Sequence, residues 1–248
     1  VGKNILVTGG SRGIGAAVVR LLATRGDRVC LNYRSDQAAA QALADELNAA
    51  GADVFTVQAD VAVEADVLRL FARLDERWSA LDGLVNNAGI LHTKSRLTGI
   101  DAERMAEVLA TNVVGTLVCA REAVLRMSTA RGGAGGGIVN VSSSAARLGG
   151  PNEYIDYAAS KGAVDTLTIG LASEVADEGI RVNAVRPGLI YTDIHASGGE
   201  PGRVDRLKSV VPMQRGGSAE EVAEAIAWLL SDQSSYTTGT CLDVSGGR

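Results

Sequence analysis

From end to end, the chain alternates short apolar runs with longer amphipathic segments, and this alternation restricts the fold more than any other feature. "NILVTG" (4–9), "RVCLNYR" (28–34), "DVFTVQAD" (53–60), "LDGLVNNAG" (81–89), "GGIVNVSS" (136–143), "IRVNAVRPG" (180–188) and "TCLDVSGG" (240–247) read as strands. Residues 13–26, 36–51, 63–78, about 101–130, about 155–178 and 218–231 read as helices. Asp36 is placed to cap the second helix, and Ser218 with Glu221 forms a capping-box start for the last. Strands apolar almost throughout are buried on both faces, which requires a parallel sheet covered by helices on each side. Right-handed crossovers then give an α/β, Rossmann-type doubly wound sheet, with ligands at the carboxyl ends of the strands. No composition break or internal repeat divides residues 1–248, so a single domain is expected. The glycine-rich run "RGGAGGG" (131–137) is expected to be a flexible surface connection.

Charge and cysteine content exclude several function classes. The net charge of −5 leaves no basic field for a nucleic acid. No apolar run looks long enough to cross a bilayer, and the chain enters its first strand without a signal peptide. Cys30, Cys119 and Cys241 are scattered and odd in number, which suits buried reduced thiols and a cytoplasmic location. The sequon Asn140–Val141–Ser142 falls in a strand expected to be buried, so it reads as a chance match. The two histidines, His92 and His195, fit no metal-ligand spacing, so no metal is expected. His195 could touch substrate but is assigned to the surface.

The first strand runs into "TGGSRGIG" (8–15) and then a helix. Gly9, Gly13 and Gly15, with Ser11, Arg12 and Ile14 between them, suit a tight turn that brings backbone against a pyrophosphate at a helix N-terminus. An NAD site expects an acid at the end of the second strand. Here Asn32 or Tyr33 stands in that place, followed by Arg34. Two guanidiniums, Arg12 and Arg34, suit a ribose 2′-phosphate, which they can bind bidentately. The expected cofactor is therefore NADP (NADPH) over NAD.

Those motifs, with Asp60–Val61, "NNAG" (86–89), Asn112, the serine run 142–144, "YAASK" (157–161), "RPG" (186–188), Thr192 and "DVSGG", occur in order over the whole chain. In this the sequence resembles the short-chain dehydrogenases/reductases. The resemblance implies an oxidoreductase that interconverts a carbonyl and a secondary alcohol. It implies that Asp60 and Val61 contact adenine, and that Asn86, Asn87, Ala88 and Gly89 line the cofactor groove and steady the sheet. Pro187, Gly188, Ile190 and Thr192 would hold the nicotinamide end, and Asn112 would organise a water relay. It also implies a small-molecule carbonyl or alcohol substrate, either a 3-oxoacyl thioester or a small sugar or polyol, and a homotetramer. The competing reading is a catalytically silent dinucleotide sensor.

Tyr157 and Lys161 lie four apart in a helix and share a face. An ammonium one turn away would favour the phenolate and let a tyrosine of ordinary pKa near 10 exchange protons near neutrality. Tyr154 has no such lysine and is expected to line the substrate pocket or pack on the loop. The catalytic serine is placed thirteen residues before the tyrosine by the family's spacing, which gives Ser144. Register along the strand gives Ser143 instead. The strand is the more rigid guide, so Ser143 is the expected hydroxyl, with Ser142 and Ser144 turned away. Specificity is expected in residues 90–99, 146–154 and a lid at about 194–215.

Overall fold

The computed structural model describes residues 2–248. Seven strands form one sheet: β1 (Asn4–Val7), β2 (Arg28–Tyr33), β3 (Asp53–Gln58), β4 (Gly83–Asn86), β5 (Gly136–Val141), β6 (Ile180–Pro187) and β7 (Cys241–Val244). Their order is β3-β2-β1-β4-β5-β6-β7, and every neighbouring pair is parallel. The helices are α1 (Gly13–Thr24), α2 (Gln37–Ala49), α3 (Glu64–Arg77), α4 (Ala102–Leu109), α5 (Gly115–Met127), α6 (Ala145–Leu148), α7 (Ile155–Val175), α8 (Ile194–Ser197), α9 (Arg203–Leu207) and α10 (Ala219–Leu230). The chain reverses direction across the sheet between β1 and β4, and a crevice opens there at the carboxyl ends.

The strand sequences explain the two layers. Ile5 and Val7 face a core built with α1, α2 and α10. Leu6, between them, faces a second core built with α3, α5 and α7. Cys30, Leu84, Ile138 and Val182 continue that second face across the sheet. A strand with apolar residues on both sides of its pleat can be buried only between two helical layers. Asp36 accepts the Ala39 N–H at 3.0 Å and caps α2. Ser218 and Glu221 form the complete capping box of α10.

Several expectations change. The run 131–137 is not a free connector. A Cβ on Gly133 would lie 2.4 Å from the Met127 carbonyl oxygen, so the glycine is there for close approach. The helix over 102–127 is continuous but carries one π turn, Ala110–Val114, with Asn112 inside it. By length and composition this helix could cross a membrane, contrary to the sequence reading. Half of its most apolar stretch is buried, and α5 packs on α3, β4, β5 and α7, so the buried half serves the core. Cys30 and Cys119 are buried, whereas Cys241 is only half-buried.

Candidate active site

The crevice is one cleft of about 640 Å³ that runs from the end of β2 across the glycine turn to the serines after β5. Its floor is a knot of hydrogen bonds among strand ends. Thr8 Oγ1 accepts the N–H groups of Asn87 and Ala88, each at 3.0 Å. Asn87 Nδ2 donates to the carbonyls of Thr8 (3.0 Å) and Gly9 (2.8 Å). Asn32 is turned inward, donating to Val57 and Ala59 carbonyls at 3.2 and 3.0 Å and accepting from Gly9 N–H at 3.3 Å. Nothing in the sequence singled out Thr8 for this role, because a threonine at a strand end is ordinary.

Gly15 does not line the cleft but lies behind its wall. A Cβ there would fall 2.2 Å from the Gly9 carbonyl oxygen, so helix and turn touch backbone to backbone. Gly9, Ser11, Arg12, Gly13, Ile14, Tyr33, Arg34, Asp60, Val61, Asn87, Ala88, Gly89, Ser143, Tyr157, Lys161, Pro187, Gly188, Ile190 and Thr192 all line the cleft, with Gly13 beside Thr192 and Gly89 beside Lys161. Asn86 was expected in the groove but sits beneath it, donating from Nδ2 to Asn140 Oδ1 at 3.0 Å across β4 and β5. Its sheet-steadying role stands; its groove-lining role does not. The sequon residue Asn140 is fully buried and also donates to Thr168 Oγ1 at 2.9 Å.

Asn112 also lies behind the wall. Its side chain brackets Ile90, accepting from the Ile90 N–H at 2.8 Å and donating to the Ile90 carbonyl at 3.1 Å. It donates as well to Ser160 Oγ at 3.0 Å, and that hydroxyl donates to the Tyr157 carbonyl at 2.7 Å. The π turn thus ties the loop after β4 to the helix that carries Tyr157.

The three serines are held by different partners. Ser142 is buried and donates to the Lys161 carbonyl at 3.2 Å. Ser144 is also buried, and its N–H donates to the Pro187 carbonyl at 2.9 Å. Ser143 Oγ accepts the Ala145 N–H at 3.1 Å and acts on the Tyr157 phenol to lower its pKa; all three serines line the cleft.

The Tyr157–Lys161 pair differs from its sequence reading. Lys161 Nζ lies 5.6 Å from the centre of the Tyr157 ring and donates to the Val141 carbonyl at 2.8 Å. Burial lowers the lysine pKa to about 8, opposed by the charge of Asp165 one turn further on. Burial pushes the Tyr157 phenol above its ordinary value, and only the Ser143 hydrogen bond pulls it back. Desolvation is the largest influence on the phenol.

His195 was assigned to the surface, but it lines the cleft. Its Nε2 lies 3.0 Å from the Ile190 carbonyl. Burial lowers its pKa. Tyr154 lines the cleft as well.

The family model described as Enoyl-(Acyl carrier protein) reductase matches residues 9–248. The 3-oxoacyl-[acyl-carrier-protein] reductase FabG of Staphylococcus aureus is 36% identical over 245 residues, covering 99% of this chain and 97% of that one. A short chain dehydrogenase from Burkholderia cenocepacia, solved in complex with NADP, superposes with a TM-score of 0.90 at 33% identity, over 99% of this chain and 97% of that one. The chain belongs to the short-chain dehydrogenase/reductase family. Another relative, the uncharacterized oxidoreductase YgfF of Escherichia coli, is 58% identical over 243 residues, 98% of each chain. As a short-chain dehydrogenase/reductase, this protein is an oxidoreductase that uses a nicotinamide dinucleotide and acts on carbonyl and CH–OH groups.

Proposed function

We propose that the protein is an NADPH-dependent carbonyl reductase of small molecules. The carrying observation is that Ser143, Tyr157 and Lys161 line the same cleft as the glycine turn, with Lys161 Nζ 5.6 Å from the centre of the Tyr157 ring. The cleft fits a dinucleotide: Gly9 and Gly13 take positive φ values of 62° and 53°, which bares the backbone of the turn. Gly9, Ser11, Gly13 and Ile14 would hold the pyrophosphate, Asp60 and Val61 the adenine, and Pro187, Gly188, Ile190 and Thr192 the nicotinamide. When bound, the cofactor supplies the hydride. Ser143 holds the substrate oxygen with a hydrogen bond that strengthens as charge develops there. Tyr157 gives its proton to that oxygen. Lys161 holds the positive charge under the ring, and Asn112 with Ser160 keeps α7 aligned to the loop after β4.

NADP over NAD is supported by the guanidiniums of Arg12 and Arg34, which both line the cleft and have no carboxylate partner among the described residues. The nearest acid in sequence, Asp36, is occupied in capping α2. A homotetramer is supported by exposed apolar side chains on the two long helices: Leu109, Val114, Leu117 and Leu125 on the 102–127 helix, and Ile169 on α7. The test is NADPH oxidation across a carbonyl panel. Tyr157→Phe should abolish turnover and leave NADPH affinity within a few-fold. A Tyr157→Phe protein that still reduces carbonyls at the wild-type rate would refute the assignment.

A further inference from the structure

The cleft holds two buried polar atoms that the reaction does not use. Tyr154 is only 5% exposed, and its hydroxyl has no hydrogen-bond partner. His195 Nε2 faces the Ile190 carbonyl, which can only accept, so Nε2 carries the proton. The other ring nitrogen, Nδ1, is therefore a lone-pair acceptor, and it too is buried without a partner. Both residues line the same cleft as Ser143 and Tyr157.

One cluster brings them together across 41 positions of sequence. Arg203 of α9 lies 5.0 Å over the face of the Tyr154 ring, a contact that leaves the hydroxyl free. The Glu200 N–H donates to the His195 carbonyl at 2.8 Å. Arg203 donates to Glu153 at 3.0 Å and to Glu200 at 3.1 Å. Arg206 donates to Glu200 at 2.5 Å. Two arginines and two glutamates are thus mutually neutralised around the pair. These four charges balance one another, with Lys94 also near enough to lower the Glu200 pKa, and burial lowers the pKa of the His195 ring. Buried donors and acceptors are costly when unpaired, so they select for a ligand that pairs them.

We propose that Tyr154 and His195 form a specificity subsite for a neutral hydroxyl group of the substrate. The Tyr154 hydroxyl donates to the substrate oxygen, and that oxygen donates its own proton to His195 Nδ1. The inference rests on the carbonyl-reductase reading above and narrows it: the preferred substrates are hydroxylated aldehydes or ketones, not acyl chains that end in methylene groups. An apolar chain placed there would leave both polar atoms unpaired, whereas a hydroxyl satisfies each of them.

The experiment compares kcat/KM with NADPH for pairs of ketones matched in size. Hydroxyacetone is set against butanone, 4-hydroxybutan-2-one against pentan-2-one, and 5-hydroxypentan-2-one against hexan-2-one. A keto acid, 4-oxopentanoate, is the charged arm. The expected result is that at least one hydroxyketone exceeds its partner by about 10–100-fold. In Tyr154→Phe, which keeps the ring under Arg203, that ratio should fall to about threefold or less. Equal kcat/KM within every pair would overturn the inference, as would a preference that survives in Tyr154→Phe. A preference for the keto acid would also overturn it, and would direct attention to Arg248, a cation that lines the cleft. Failure to reduce any carbonyl while NADPH still binds would instead sink the reductase reading, and the subsite with it.

Discussion

Replacing Gly15 with alanine tests whether the glycine turn is set by backbone packing. The added Cβ would lie 2.2 Å from the Gly9 carbonyl oxygen, 2.5 Å from Asn87 Nδ2 and 3.0 Å from Gly10 Cα. Comfortable heavy-atom contacts lie at about 3.5–4.0 Å, so the turn and helix must separate by about 1 Å. Neither of the two nearest atoms can yield alone, because Asn87 Nδ2 is bonded to that same Gly9 oxygen at 2.8 Å. Overpacking of this kind costs about 1–3 kcal/mol. For a chain of this size, each kcal/mol lowers Tm by about 2–4 °C, so a fall of roughly 2–12 °C is expected. A displacement of about 1 Å at a positioning element costs on the order of 100-fold, so NADPH affinity should weaken by roughly that factor. Cofactor fluorescence titration and thermal unfolding measure the two effects separately. Gly202→Ala is the control, since a Cβ there meets nothing within 4 Å; its Tm should stay within about 2 °C of wild type. Wild-type cofactor affinity and Tm in Gly15→Ala would refute the packing argument.

Ser143→Ala should lower single-turnover rates by about 10²–10³-fold, while Ser144→Ala stays within about tenfold; the reverse order would show that spacing along the chain, and not strand register, identifies the hydroxyl. Arg34→Asp should move cofactor preference toward NADH in steady-state kinetics, and an unchanged NADPH/NADH ratio would remove Arg34 from the phosphate site. For Lys161, the folded pKa of about 8 lies below its ordinary 10.5, so burying the charge destabilises the fold at full strength below pH 8 and not at all above 10.5. Lys161→Met should therefore lose turnover, and its Tm measured against wild type should be most favourable below pH 8 and fall as pH rises through that window. A Tm difference that does not change with pH would contradict the assignment.

The strands and helices were legible because their signals are local. Apolar residues at period two on both faces specify a sandwiched strand, and Asp36 and Ser218 mark helix starts within a single turn. The glycine turn was legible for the same reason, since its glycines and arginines are close in sequence. The four-residue spacing of Tyr157 and Lys161 was legible as well, whereas their depth of burial was not. Whether an ammonium or desolvation dominates depends on how deeply α7 sinks against β5, which no spacing reveals.

The sequence by itself determined the parallel doubly wound sheet and the glycine turn at its crevice. Those follow from periodicity and short-range spacing, which act before any long-range contact forms. Only the tertiary structure decided that Asn86 lies beneath the groove, that Asn112 clamps Ile90, and that His195 enters the cleft. Only it brought Arg203 from α9 over Tyr154, because the segment after β6 must fold back onto the loop before α7. Contacts between residues about 50 positions apart depend on how packed elements meet, and no local pattern in the chain encodes that meeting.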